Sequence, residues 1–169
     1  DIAISRTGID GEGGVVELYD GASLLNKTTQ QLSTLSPYAK STIAPWAFIE
    51  DFTGDGKRDL VTAGFKGNKI NLSDLQIKAW TSKKNGKEWS QAFEFNPFDH
   101  IETDLHTDGG HRMPHSNLTA DQVSVAMADM NLDNFQDIAI TYALNNGGIR
   151  FVVLDGAALS LNDQTNTME

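Results

Sequence analysis

The sequence predicts an all-β chain of short antiparallel strands arranged as repeats. Three observations predict it. Brief β-branched runs such as Leu60-Val61-Thr62, Ile138-Ala139-Ile140-Thr141 and Phe151-Val152-Val153-Leu154 are bounded by Gly, Asn and Asp, which are strand and turn signals. The segment Ala47-Phe48-Ile49-Glu50-Asp51-Phe52-Thr53-Gly54-Asp55-Gly56-Lys57-Arg58-Asp59-Leu60-Val61-Thr62 recurs 78 residues later as Val125 to Ile140, without a gap. Each copy also carries an Asp-rich loop at the same place, between two apolar runs.

The elements follow in order. Asp1-Ile2-Ala3-Ile4-Ser5 matches Asp137-Ile138-Ala139-Ile140-Thr141, so it is expected to be a second strand whose loop and first strand are missing. Gly13 to Ala22 matches Gly147 to Ala157 with one residue inserted, and Leu75 to Trp80 stands at the equivalent place in the middle copy. Glu88 to Phe95 supplies a fourth strand there. Four antiparallel strands in a repeat of this length are the signature of a β-propeller blade. The expected organisation is one partial propeller region over 1–169. It comprises an incomplete blade at 1–43, a complete blade at 44–121 and an incomplete blade at 122–169, or about two and a half four-stranded blades. Closed propellers have about 4–8 blades. The expectation is therefore a piece of a larger polypeptide, or a chain completed by other blades or chains.

Charge narrows the partners. The 169 residues hold 23 Asp and Glu against 13 Lys and Arg, a formal net charge of −10. A nucleic-acid partner needs a basic surface, and an anionic membrane surface attracts basic segments, so neither is expected. There is no cysteine, which excludes disulfides and thiolate metal sites. No apolar run approaches the roughly 20 residues of a membrane span.

The Asp-rich loops carry the chemistry. Asp51, Thr53, Asp55 and Asp59 occupy loop positions 1, 3, 5 and 9; Asp129, Asn131, Asp133 and Asp137 do the same in the second copy. Ca²⁺ takes six to eight hard oxygen ligands at about 2.3–2.6 Å. Alternating oxygens on a tight loop can wrap one ion, with the main-chain carbonyl of Lys57 or Phe135 at position 7. Gly56, and Asn134 in the other copy, stand where the loop needs a positive φ. An EF-hand is excluded, because position 12 is Thr62 or Ile140 rather than Glu, inside β-like runs.

The whole pattern resembles the FG-GAP/VCBS repeats of integrin-α-like propellers and of many secreted bacterial proteins. The resemblance covers most of the chain apart from stretches near 23–43 and 95–121. It implies that each loop joins the first and second strands of a blade and binds Ca²⁺. It carries Asp51, Thr53, Asp55, Lys57 and Asp59 over as one ligand set, and Asp129, Asn131, Asp133, Phe135 and Asp137 as a second. Two departures stand out. Thr53 replaces the usual Asn or Asp, which weakens the first site, and Asn134 replaces glycine in the second. The resemblance also implies an extracellular or cell-surface location.

His100, His106, His111 and His115 fall in one segment with Asp99, Asp104 and Asp108. It connects one blade to the next, on the face opposite the Asp-rich loops. Spacings of 6, 5 and 4 match no standard metal motif, and Gly109, Gly110 and Pro114 make the segment a loop. Trp46, Trp80 and Trp89 are expected to pack between blades rather than to stack on sugars. Asn26-Lys27-Thr28, Asn71-Leu72-Ser73 and Asn117-Leu118-Thr119 fit the glycosylation triplet, which is compatible with secretion. Two functions follow. One is a Ca²⁺-stiffened binding module for a carbohydrate or protein ligand. The other is the propeller part of a polysaccharide lyase or hydrolase that uses the histidine segment. Fold alone does not choose between them.

Overall fold

The computed structural model describes residues 1–8, 13–38, 40–53, 55–83, 87–98, 119, 122–143 and 148–161. Among the described residues ten strands form three antiparallel sheets. The first sheet is β1 (Ile2–Thr7), β2 (Gly14–Tyr19) and β3 (Gln31–Tyr38), with the short helix α1 (Gly21–Leu25) between β2 and β3. The middle sheet is β4 (Trp46–Glu50), β5 (Asp59–Phe65), β6 (Leu75–Lys83) and β7 (Glu88–Phe95). The third is β8 (Val123–Ala128), β9 (Asp137–Ala143) and β10 (Ile149–Leu154), followed by helix α2 (Gly156–Leu161). Within each sheet every strand pairs with its sequence neighbour, so each is a meander.

Strands β1, β2 and β4 to β10 therefore lie where the sequence puts them. The register repeats as well: Val61 pairs with Ala79 and Ala63 with Ile77 in the middle sheet, as Ala139 pairs with Val153 and Thr141 with Phe151 in the third. β3 lies in the 23–43 stretch that the repeat pattern leaves blank. It is an edge strand, which is why it tolerates Pro37: an edge strand has one side with no ladder to donate to. A shift of register between Gly14 and Val16 lets its far end pair with β2.

All seven residues of β5 are buried, so the middle sheet is covered on both faces. Successive side chains point to opposite faces. Leu60 packs with Val16 and Leu18 of the first sheet, flanked by Ala3, Leu35, Ile49, Trp80 and Trp89. Val61, Ala63 and Phe65 join Leu75, Ile77 and Ala79 against Val123, Val125, Ile138, Ile140 and Tyr142 of the third sheet. Trp46 meets Phe65 edge-on at 6.1 Å, and Phe98 meets Tyr142 edge-on at 5.5 Å. The three tryptophans thus pack in the cores between sheets, as expected.

Tyr38 fastens the first sheet to the middle one. Its hydroxyl lies 3.0 Å from the Thr62 carbonyl and 2.8 Å from that of Gln76. The Lys78 ammonium lies 5.1 Å from the centre of its ring. The ring lies against Gly64, where a Cβ would stand 2.6 Å from it. Burial pushes the phenol pKa well above its ordinary value. Among the described residues no helix is long and apolar enough to cross a membrane.

Candidate metal site

The two Asp-rich loops make the same connection in their sheets: 51–59 joins β4 to β5, and 129–137 joins β8 to β9. Their backbones fold alike because the first Asp caps the turn. Asp51 Oδ2 accepts from Gly56 N at 2.9 Å, and Asp129 Oδ2 accepts from Asn134 N at 3.0 Å. The second Asp of each loop closes a smaller turn, with Lys57 N to Asp55 Oδ1 and Phe135 N to Asp133 Oδ1 both at 2.8 Å. Gly56 has φ +79° and Asn134 φ 72°. The left-handed turn foreseen at the sixth position is present in both loops.

The side chains then diverge. In the first loop Asp51, Asp55 and Asp59 each offer a carboxylate oxygen, and these oxygens lie within 4.8 Å of one another. Asp51 Oδ1 is buried and has no hydrogen-bond partner, and the buried Thr53 hydroxyl faces the Asp55 and Asp59 carboxylates and helps to hold their pKa values down. Asp59 is buried, and that burial raises its pKa; the Thr53 backbone N–H opposes the rise, while Asp55 and Asp51 add to it. Asp55 is held below its ordinary value, chiefly by the Lys57 ammonium 3.0 Å from Oδ2. A cation already leans on this loop, from the side chain of the residue whose carbonyl was expected to be a ligand.

In the second loop the oxygens are spent internally. Asp129 Oδ1 and Asn131 Oδ1 both accept from Asp133 N at 3.1 Å, and Asn131 Nδ2 donates to Asp133 Oδ2 at 3.0 Å. Asp137 accepts from Met130 N and from Gly156 N, each at 2.9 Å. Among the described residues this loop gathers no group of three carboxylates comparable to the first. All ten expected ligand residues therefore sit on their two loops, and the structure draws together Asp51, Asp55 and Asp59, with Thr53 beside them.

One feature escaped the sequence reading. Asp137 binds the first N–H of α2, and Asp1 binds Gly21 N, the first of α1, at 3.3 Å. Asp1, Asp59 and Asp137 are equivalent in the repeat, so in the outer sheets this aspartate anchors a short helix. Both glycines are forced by the close approach: a Cβ on Gly156 would stand 2.1 Å from the Gln136 carbonyl oxygen, and one on Gly21 would stand 2.9 Å from Asp1 N. The signal was in the sequence, as Asp20-Gly21-Ala22 and Asp155-Gly156-Ala157. Each leading Asp caps its helix, Asp20 on Ala22 N and Asp155 on Ala157 N. Among the described residues the middle sheet has no such helix between β6 and β7.

The histidine segment lies outside the described residues, as do Asp99, Asp104, Asp108, Asn117 and Leu118. Comparison with known proteins returns no family model, no curated protein and no solved structure that matches this chain.

Proposed function

We propose that this chain is a Ca²⁺-stabilised module of propeller-type blades, related to the FG-GAP/VCBS repeats, which works outside the cell or at its surface and presents loops to a carbohydrate or protein ligand. The observation that carries the metal reading is the first loop. Three carboxylate oxygens converge beside the buried Thr53 hydroxyl, and Asp51 Oδ1 lacks a partner. Buried polar atoms are normally satisfied, and a hard cation that takes only oxygen ligands would satisfy all of these together. The donor set fits Ca²⁺ rather than a softer metal, since it holds neither nitrogen nor sulfur. Face-to-face packing of meander sheets supports the blade reading.

The first loop is the tighter Ca²⁺ loop in this reading, despite Thr53. In the second, Asp137 is committed to α2 and the other oxygens to the loop's own amides, so an ion must displace bonds already made.

Calorimetry tests the proposal. Ca²⁺ binding to the folded state alone stabilises by about 2.7 kcal/mol at 100 times Kd. The melting temperature is expected to rise in Ca²⁺, to fall in EGTA and to respond weakly to Ca²⁺ in the Asp51→Ala, Asp55→Ala double variant. An unchanged melt together with no titration heat would refute it. Glycan-array binding without turnover supports the binding module. Depolymerisation of a polysaccharide, lost on replacing one of His100, His106, His111 or His115, would establish the enzyme instead.

A further inference from the structure

The repeat sets the same four positions in both Asp-rich loops, and the structure partners their side chains in two ways. In the first loop Asp51, Asp55 and Asp59 bring carboxylate oxygens within 4.8 Å of one another, and Asp51 Oδ1 is buried without a hydrogen-bond partner. In the second loop the equivalent Asp129 Oδ1 accepts from Asp133 N at 3.1 Å. Asn131 spends both ends of its amide on Asp133: Oδ1 accepts from the backbone N at 3.1 Å, and Nδ2 donates to Oδ2 at 3.0 Å. Thr53, at the same position in the first loop, has no side-chain amide. Ca²⁺ takes oxygen ligands, and an amide NH2 group is a donor only. The Asn131 NH2 thus meets the Asp133 carboxylate in place of a cation.

The closing aspartates differ in the same sense. Each spends Oδ2 on a loop N–H at 2.9 Å, Asp59 on Thr53 N and Asp137 on Met130 N. Asp137 Oδ1 also accepts from Gly156 N at 2.9 Å, in a buried bond at the start of α2. Between β6 and β7 no described helix supplies Asp59 with such an N–H. The bond to α2 is held from both sides. Gly156 is wedged against the Gln136 backbone, with no room for a Cβ, and separating the pair would leave a buried carboxylate oxygen without its donor. The first sheet repeats the device, since Asp1, the equivalent of Asp137, accepts from Gly21 N at the start of α1 at 3.3 Å.

We infer that the second loop is a hydrogen-bonded replica of a Ca²⁺ loop: it takes no ion, and the Asn131 amide and the first N–H of α2 partner the oxygens that would otherwise be ligands. The donor set of the second loop therefore does not fit the ion that the FG-GAP/VCBS resemblance implies for it, and these 169 residues hold one Ca²⁺ rather than two. The repeat uses its closing aspartate in two ways, toward an ion in the middle sheet and toward a helix start in the outer sheets. One consequence is that loop 129–137 and the start of α2 keep their structure when Ca²⁺ is removed, whereas the first loop loses its support. The inference rests on the Ca²⁺ reading for the first loop alone.

A backbone NMR titration of the full chain reads each loop separately, from EGTA into free Ca²⁺ of up to about 1 mM, the range of extracellular modules. The amides of Thr53, Gly56 and Lys57 are expected to shift and to saturate at one equivalent. Those of Asp133, Asn134, Phe135 and Gly156 are expected to keep their shifts and to exchange slowly with solvent in EGTA as well as in Ca²⁺. Movement of the second set with uptake of a second ion overturns the inference, and so does fast exchange of the Gly156 N–H in EGTA. If neither set moves, the Ca²⁺ reading of the first loop fails, while the closure of the second is supported. Equilibrium dialysis of variants adds a second readout. Asp133→Ala is expected to keep one bound ion and Asp55→Ala to keep none. An ion lost in Asp133→Ala, or retained in Asp55→Ala, places it in the second loop and overturns the inference. Circular dichroism checks that the variants fold, and the titration of the unaltered chain decides if one does not.

Discussion

Tyr38 and Gly64 show how one side chain and one missing side chain make a joint between sheets. The phenol crosses from β3 to reach two carbonyls of the middle sheet, and it can do so because position 64 has no Cβ. Gly64→Ala places a methyl carbon 2.6 Å from the ring. Overpacking of this kind costs about 1–3 kcal/mol, and urea unfolding is expected to show a loss in that range. Tyr38→Phe keeps the ring and removes the donor, at about 1–2 kcal/mol. At the metal site, Lys57 holds its ammonium against the Asp55 carboxylate. Removing that charge in Lys57→Met, while keeping the main-chain carbonyl, is expected to tighten Ca²⁺ binding a few-fold, because two like charges a few ångströms apart repel even in water. Titration calorimetry at low and high salt checks this, and the gain is expected to shrink as screening rises.

The loop-and-helix unit is the element on which the two repeats part company. Both loops share a backbone path, and Asp51 and Asp129 cap the same turn. The equivalent aspartates at 59 and 137 nevertheless do different work. Asp137 is buried and spends both oxygens on backbone N–H groups, one of them at the start of α2. Asp137→Asn replaces one of those acceptors by a donor, and hydrogen bonds to a charged group are worth about 1.5–3 kcal/mol. A destabilisation in that range is expected from thermal melts even in EGTA, whereas Asp59→Asn is expected to matter mainly when Ca²⁺ is present. Gly156→Ala drives a carbon into the Gln136 carbonyl and is expected to cost about 3 kcal/mol. The existence of both loops was legible in the sequence, because Asp, Asn and Gly at fixed offsets act within a few residues. Their difference was not legible, because it depends on an N–H that arrives 19 residues further on.

Across the whole molecule, the two interfaces between sheets are unequal. The core shared by the middle and third sheets contains Phe52, Phe65, Leu72, Leu75, Ile77, Phe98 and Tyr142, whereas the one shared with the first sheet is centred on Val16, Leu18 and Leu60. Burial of apolar area sets local stability. Native-state hydrogen exchange is therefore expected to show β1 to β3 opening before β5, β6 and β9. Protection in the first sheet equal to that of β5 would contradict this ordering.

The sequence by itself determined every strand but β3, the 78-residue recurrence of its motif, the two Asp-rich loops and the left-handed turns at Gly56 and Asn134. Each of these is written in alternation of period two or in turn residues that act locally. Tertiary structure decided which face of each strand is covered, that Asp51, Asp55 and Asp59 gather while the second loop closes on itself, and that Asp1 and Asp137 hold helix starts. It also left Ile2, Ile4, Ile149, Phe151 and Val153 in solvent, although their pattern matches that of buried equivalents. Alternation says that a face is apolar, whereas burial depends on whether another sheet lies against it.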